Sequence, residues 1–309
     1  MIKNIINNGV INMKSKSLIF PTILLALGLA GCGKQELTTT KSQYPINDMA
    51  ATIKGTSSAK KVTYKLNNQT KSAPVNSDTF FFTVPAKNTA QSITIKSGNK
   101  TKTVTVASQN ALAKYDQFAK KYNKSVTQSK LPTDLVARLQ KAQKTQKQSI
   151  TDLKELAKTD PSAAAKQQAT MSAEAQQLNK DYQQATKAAA KKTKGQTLNS
   201  NANGLTTQVK TANYQIRTNV DNNQLLSMAL IMPTAKLKTT DGQKDFGTAL
   251  ALMANAAGAN SKEVLKQFGN QVKKQKNNTS STQTHTITSN GIHFKTAVSA
   301  EKIYVFMTK

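Results

Sequence analysis

Apolar side chains recur at every second position in short runs between Ala50 and Ala107, and from Gln109 onwards at every third or fourth position. A strand shows alternate residues to opposite faces, whereas a helix gathers residues three and four apart on one face, so this chain must fold as successive sheet and helix segments. The runs ATIKG, KVTYKL, TFFFTV, QSITIKS and TKTVTVAS, separated by Gly, Ser, Asn, Pro and Lys, predict a small antiparallel β-sandwich over residues 50–107. Hydrophobic residues make up 37% of the chain and aromatic ones 5%, with no Trp, so every core must be small.

Residues 108–222 read as a Lys, Ala and Gln-rich helical region. Tyr115, Phe118, Tyr122 and Val126 share one helical face, and Leu135, Leu139, Ile150, Leu153 and Leu156 another, with a break at Leu131-Pro132-Thr133. Asp160-Pro161 places an N-cap before a proline at the first helical position, opening a helix to about Lys194 whose apolar face (Met171, Ala175, Leu178, Tyr182, Ala185, Ala189) is thin. Gly195 and the stretch NSNANG interrupt it, and the spacing of Leu205, Val209, Ala212, Ile216 and Val220 predicts a fourth helix. The expected product is an elongated helical bundle or hairpin of modest stability. Residues 223–309 predict a small α+β domain: LLSMALIMPTAKLKT as a strand pair or a helix end running into a strand, helices over 246–257 and 261–274 with Gly258 between, and closing strands THTITS, GIHFKTAV and KIYVFMT. The fold class expected for the whole is multidomain α+β.

Lys14 and Lys16 precede the apolar run LIFPTILLALGLA (residues 18–30), which has the length of an export-signal core and is short for a membrane span. Met13 is the expected start of that signal, because residues 1–12 add nothing it needs. Leu29-Ala30-Gly31-Cys32 resembles the lipobox of bacterial lipoproteins: an apolar residue, two small residues that admit a peptidase, and a cysteine whose thiolate forms a thioether with diacylglycerol. The resemblance implies a signal peptide over residues 1–31, cleavage before Cys32, and acylation of Cys32, with residues 32–49 as a lipidated polar tether. Two or more acyl chains make such an anchor effectively permanent. Gly28-x-x-x-x-Gly33-Lys34 approaches a phosphate loop, but Gln35 stands where a magnesium-binding hydroxyl belongs and cleavage would divide the motif.

The order IKG, VTYKLNN, VNSDTFFFTVP and ITIKSGNKTKTVTV resembles bacterial immunoglobulin-like modules of surface proteins, although the cysteine pair and core Trp of antibody-type domains are lacking. The resemblance implies a spacer or adhesion module over residues 50–107.

Charge narrows the partners. The chain carries 44 Lys and Arg against 15 Asp and Glu, a formal +29, and residues 1–31 hold only Lys3, Lys14 and Lys16 of that excess. Arg138 and Arg217 are the only arginines, which disfavours base readout in nucleic acid, and export removes the chain from the chromosome. Clusters at Lys60-Lys61, Lys120-Lys121, Lys191-Lys192-Thr193-Lys194 and Lys273-Lys274-Gln275-Lys276 are solvated faces or a surface for anionic envelope polymers and lipid head groups, with Lys191, Lys192, Lys194, Lys273, Lys274 and Lys276 the leading candidates.

Catalytic chemistry has little to work with. Cys32 is the only cysteine, which excludes an intrachain disulfide and a cysteine metal cluster. His285 and His293, the only histidines, flank Ser289-Asn290-Gly291, a hairpin turn that would place them on neighbouring strands as weak candidates for a metal or catalytic pair. Asp241, Asp245, Glu263 and Glu301 are the acids nearest in sequence, without paired-carboxylate spacing, and no serine-nucleophile motif occurs. Two large α/β lobes of a solute receptor are also missing from the pattern. The expected function is therefore a non-enzymatic, cofactor-free, lipid-anchored extracytoplasmic protein of a Gram-positive membrane with a binding or scaffolding role. Gly33 is equally compatible with outer-membrane sorting in a Gram-negative cell. The alternative is an envelope enzyme or metal-dependent factor using the two histidines.

Overall fold

The computed structural model describes residues 36–277 and 286–309, with the backbone alone for residues 272–277. The lipobox residues Leu29, Ala30, Gly31 and Cys32, the side chains of Lys273, Lys274 and Lys276, and His285 lie outside the described residues. Among those described, the chain is mixed α and β, with a large curled sheet, a second sheet and five α-helices. It divides into two compact units, one of residues up to Phe118 together with Asn199–Lys309, the other Ala119–Leu198.

The first unit opens with β1 (Leu37–Thr39), β2 (Gln43–Tyr44), β3 (Ala50–Ser57), β4 (Lys61–Leu66), β5 (Gln69–Asn76), β6 (Thr79–Pro85), β7 (Gln91–Ser97) and β8 (Lys100–Val106). They form one hydrogen-bonded sheet in the order β1-β3-β6-β5-β4-β7-β8-β2. The curl runs through β5, whose first six residues pair with β4 while Val75 and Asn76 pair with β6. Strict alternation turns Ile53, Val62, Phe80, Val84, Ile95 and Val106 inward, the outcome a half-buried strand pattern predicts. Inside, the Tyr64 and Phe82 rings stack at 3.7 Å. The hydroxyls of Ser57 and Ser97, both buried, satisfy each other at 2.7 Å.

Hairpin turns at Asn67-Asn68 and Ser77-Asp78 have positive φ at both central residues. Short polar side chains tolerate that conformation, and its twist matches the flanking strands.

The polar stretch over residues 32–49 is corrected by this sheet. Leu37–Thr39 pairs antiparallel with Gly55–Ser57, and Gln43-Tyr44 pairs parallel with Thr105-Val106, so two short segments of the expected tether join the sheet. Backbone hydrogen bonding to partners far along the chain supplied the stability that its own apolar content did not announce.

The second sheet of this unit comprises β9 (Ala113–Lys114), β10 (Gly204–Lys210), β11 (Gln215–Asp221), β12 (Gln224–Pro233), β13 (Thr286–Ser289), β14 (Ile292–Val298) and β15 (Lys302–Thr308). Their order is β10-β11-β12-β15-β14-β13, with β9 on β12. The fourth helix expected from Leu205, Val209, Ala212, Ile216 and Val220 is therefore wrong, since these residues lie on β10, β11 and the turn between them. Leu205 to Val209 and Ile216 to Val220 are spacings of four, which fit two strand periods as well as one helical turn, and an extra residue in β10 between Thr207 and Val209 breaks its simple alternation. The run LLSMALIM is one strand rather than a strand pair, and its residues are all buried.

Two layers cover β12. Helix α4 (Thr240–Ala257) packs on one side through Phe246, Ala249, Leu250 and Met253, spaced three and four apart, and continues into α5 (Ser261–Asn277) beyond a left-handed Gly258. On the opposite face Ala229 and Ile231 bury Met49 of the curled sheet. The Asn219 side-chain amide, 1% exposed, spans the same junction: it donates to the Ala86 carbonyl at 2.9 Å and to that of Met49 at 3.5 Å. Asp221 Oδ2 accepts from the Asn88 backbone N–H at 3.1 Å, and Lys295 pairs with Asp48 at 3.1 Å. Buried polar groups with fixed partners make this joint specific in orientation, as apolar contact alone would not.

Two tyrosines of this unit are buried with their hydroxyls neutral. Burial pushes Tyr115 up to about 12, and burial followed by the Asp245 carboxylate does the same for Tyr214. Because both folded values lie above the ordinary 10.0, the stability they confer is complete below pH 10 and is lost as pH rises through about 12. Urea-unfolding midpoints should fall across that interval, and Tyr214→Phe should flatten the fall. An equal decline in the variant would count against the assignment.

The second unit holds most of α1 (Tyr115–Gln128), together with α2 (Thr133–Thr159) and α3 (Pro161–Lys192). Asp160 Oδ1 accepts from the Ala163 N–H at 2.9 Å, the cap expected of Asp-Pro. Helices α2 and α3 pair lengthwise, joined by an Arg138 to Asp181 ion pair at 2.8 Å that holds the Asp181 carboxyl below its ordinary range. Buried residues on these two helices are few, Leu135, Ala164 and Ala189, as a thin alanine seam implies. The Asn123 side chain closes the unit by donating to the Leu198 carbonyl and accepting from its N–H.

Candidate functional site

The histidine hairpin forms as its sequence predicts, with Asn290 and Gly291 both at positive φ and β13 paired to β14. His293, half-buried, lies opposite Thr288, and its Nδ1 shares a hydrogen bond of 2.9 Å with the Thr288 hydroxyl. Lys295 follows two residues later on the same face, where its ammonium repels a metal ion and occupies the Asp48 carboxylate. Among the described residues no three of His, Cys, Asp and Glu come together. Asp241, Asp245, Glu263 and Glu301 are not gathered around His293; Asp245 instead accepts from the Asn213 amide at 2.8 Å, and Glu263 from Gln267 at 2.9 Å.

Concave features among the described residues are shallow. One hollow of about 200 Å3 is lined by Glu36, Thr56, Ser57, Ser58 and Asp78. Another, of about 280 Å3, lies beside Leu131, Val136, Leu139 and Tyr182 in the helical unit. Neither gathers a nucleophile and base in hydrogen-bonding contact.

The lysines are differently placed. Lys191, Lys192 and Lys194 are exposed at the carboxy-terminal end of α3, where cations complement the helix dipole and so have a local structural role. Acids are interspersed through that unit: Asp134, Asp152, Glu155, Glu174 and Asp181 lie on α2 and α3. Lys120 and Lys121 sit on α1, and the Lys273, Lys274 and Lys276 positions on the last turns of α5.

On the curled sheet the lysines form a more concentrated array. Val62, Tyr64 and Leu66 of β4 point inward, so Lys61, Thr63 and Lys65 point outward. Directly opposite residues of an antiparallel pair share a face. Ser72, Thr63, Lys96 and Thr101 therefore make one outward row across β5, β4, β7 and β8. No Asp or Glu occurs on any of these four strands. Lys65 and Lys96 belong to no contiguous lysine run, because a strand face is composed of every second residue. The signal for them was the alternation itself.

No helix among the described residues is long and apolar enough to cross a membrane. Comparison with protein-family models finds no match, and no curated protein matches the chain.

Proposed function

We propose that this chain is a lipid-anchored protein on the outer face of a bacterial membrane, a Gram-positive one on its composition, which binds envelope polyanions and performs no catalysis. Leu29-Ala30-Gly31-Cys32 supports the anchor, with diacylglycerol on the Cys32 sulfur. The observation that carries the binding role is uncompensated charge: among the described residues there are three ion pairs, Arg138 with Asp181, Lys158 with Glu155 and Lys295 with Asp48, against a formal +29. The lysines proposed to meet anionic polymers or lipid head groups include Lys191, Lys192 and Lys194 and, by sequence, Lys273, Lys274 and Lys276. Residues 50–107 serve as an immunoglobulin-like module, and its firm attachment to the second sheet suits a rigid scaffold.

Because β1 starts at Leu37, the chain from Cys32 spans at most about 18 Å even when fully extended. The first unit is then held against the head groups rather than lifted away from them.

Intact mass and membrane fractionation test the anchor. The native protein should carry a diacylglyceryl mass and sediment with membranes, while Cys32→Ser should be unmodified and largely soluble. An unmodified Cys32 in the native protein rules the anchor out. Binding of the unlipidated chain to isolated envelopes should weaken steeply with salt, as exposed charge requires.

A further inference from the structure

We propose that the outward face of β5, β4, β7 and β8 is the principal polyanion site of this protein, and that its occupant is an extended phosphodiester polymer of polyol units. This rests on the envelope-polyanion reading above and names the surface and chemistry involved.

The lysines of this face are exposed and its four strands carry no acids, whereas the lysines of α2 and α3 stand among carboxylates. Attraction to a polyanion is the sum over nearby charges of both signs, so an unmixed array outweighs a larger mixed one. Lys61 and Lys65 lie four residues apart on β4, with Lys96 on the neighbouring strand opposite Thr63, midway between them. Strand geometry puts successive ammonium stems roughly 8 Å apart in a zigzag. A flexible chain with one phosphate per short polyol unit follows such a line by bending.

Between the cations the row is hydroxyl-rich, Ser72, Thr63 and Thr101. Hydroxyls donate to phosphate oxygens and accept from polyol hydroxyls, a pairing that fits a polyol phosphate better than a carboxylate polymer. A bilayer fits less well, because no large apolar side chain protrudes from these four strands; the exposed Phe81 belongs to β6.

The full-length Cys32→Ser protein should be titrated with poly(glycerol phosphate), polygalacturonate and phosphatidylglycerol vesicles across a salt series. Two further proteins carry equal charge changes: Lys61→Gln/Lys65→Gln/Lys96→Gln on the sheet and Lys141→Gln/Lys144→Gln/Lys147→Gln on α2, where all three are exposed. The sheet triple variant should lose roughly a hundredfold in affinity for poly(glycerol phosphate) at low salt. Its slope of log K against log salt should become shallower by about 2, while the α2 triple changes little. Unchanged circular dichroism is expected, since all three sheet lysines are exposed.

Equal losses from the two triples, or full binding by the sheet triple, overturn this site while the polyanion reading stands. Tighter binding to vesicles or polygalacturonate than to poly(glycerol phosphate) overturns the occupant. If the parent binds none of the three probes, the polyanion reading fails as well.

Discussion

Phe80→Ala should destabilise the curled sheet by about 3–5 kcal/mol, a large share of the roughly 5–15 kcal/mol that holds an ordinary domain folded. The Phe80 ring is fully buried, lies 6.2 Å from Phe82, and belongs to the core shared by both ends of the curl. Its neighbour across the ladder is Gly55, where an added Cβ would collide with the ring and with the Thr38 carbonyl oxygen. The backbone of β3 therefore rests on the ring, and Gly55 itself offers no side chain to fill the void that alanine leaves. Phe81, one residue on and 65% exposed, is the control: Phe81→Ala should stay within about 0.5 kcal/mol. Chemical denaturation of both variants decides the matter, and similar losses in the two would mean that the alternation of β6 has been misread.

Asn219→Leu should cost a further class of stability, about 1–3 kcal/mol for each buried acceptor left without its donor. The amide donates to Ala86 at 2.9 Å and, more weakly, to Met49, whose carbonyl keeps the Ala86 backbone N–H, so its loss orphans the Ala86 carbonyl while Leu crowds a junction already filled by Met49, Ala229 and Ile231. The second sheet retains its own ladders and its helical cover, so the effect should concentrate on the joint. Compared with the parent, thermal unfolding of the variant should broaden or split further, and amide exchange near Met49 and Ala86 should quicken. A single sharp transition with unchanged exchange would show that the apolar contacts suffice to hold the two sheets together.

The candidate surface was partly legible before the fold. Lys191, Lys192 and Lys194 announce themselves as a run, but their position at the end of α3 gives them a dipole-compensating role that the run does not reveal. Lys61, Lys65 and Lys96 are scattered in sequence, and only the register Thr63 to Lys96 brings them together. His293 was visible as a hairpin residue, yet the ammonium of Lys295 on the same face and the hydroxyl of Thr288 opposite are what determine its surroundings.

Local patterns alone determined the elements whose stability is itself local. The period-two runs of β3, β4, β6, β7 and β8, the Asp160-Pro161 start of α3, the break at Pro132 and the Asn290-Gly291 turn all follow from side-chain alternation, cap chemistry and allowed φ. Tertiary structure decided the rest. Leu37–Thr39 and Gln43-Tyr44 became strands because partners at 55–57 and 105–106 were there to pair with them, and Gly204–Lys210 and Gln215–Asp221 became β10 and β11 because each found partners in the second sheet, although their spacings of four suit a helix as well. Asn219 reads as an ordinary surface amide until the curled sheet lays two carbonyls against it. Pairing energy of this kind depends on residues brought together by chain closure, and no window of neighbouring residues contains it.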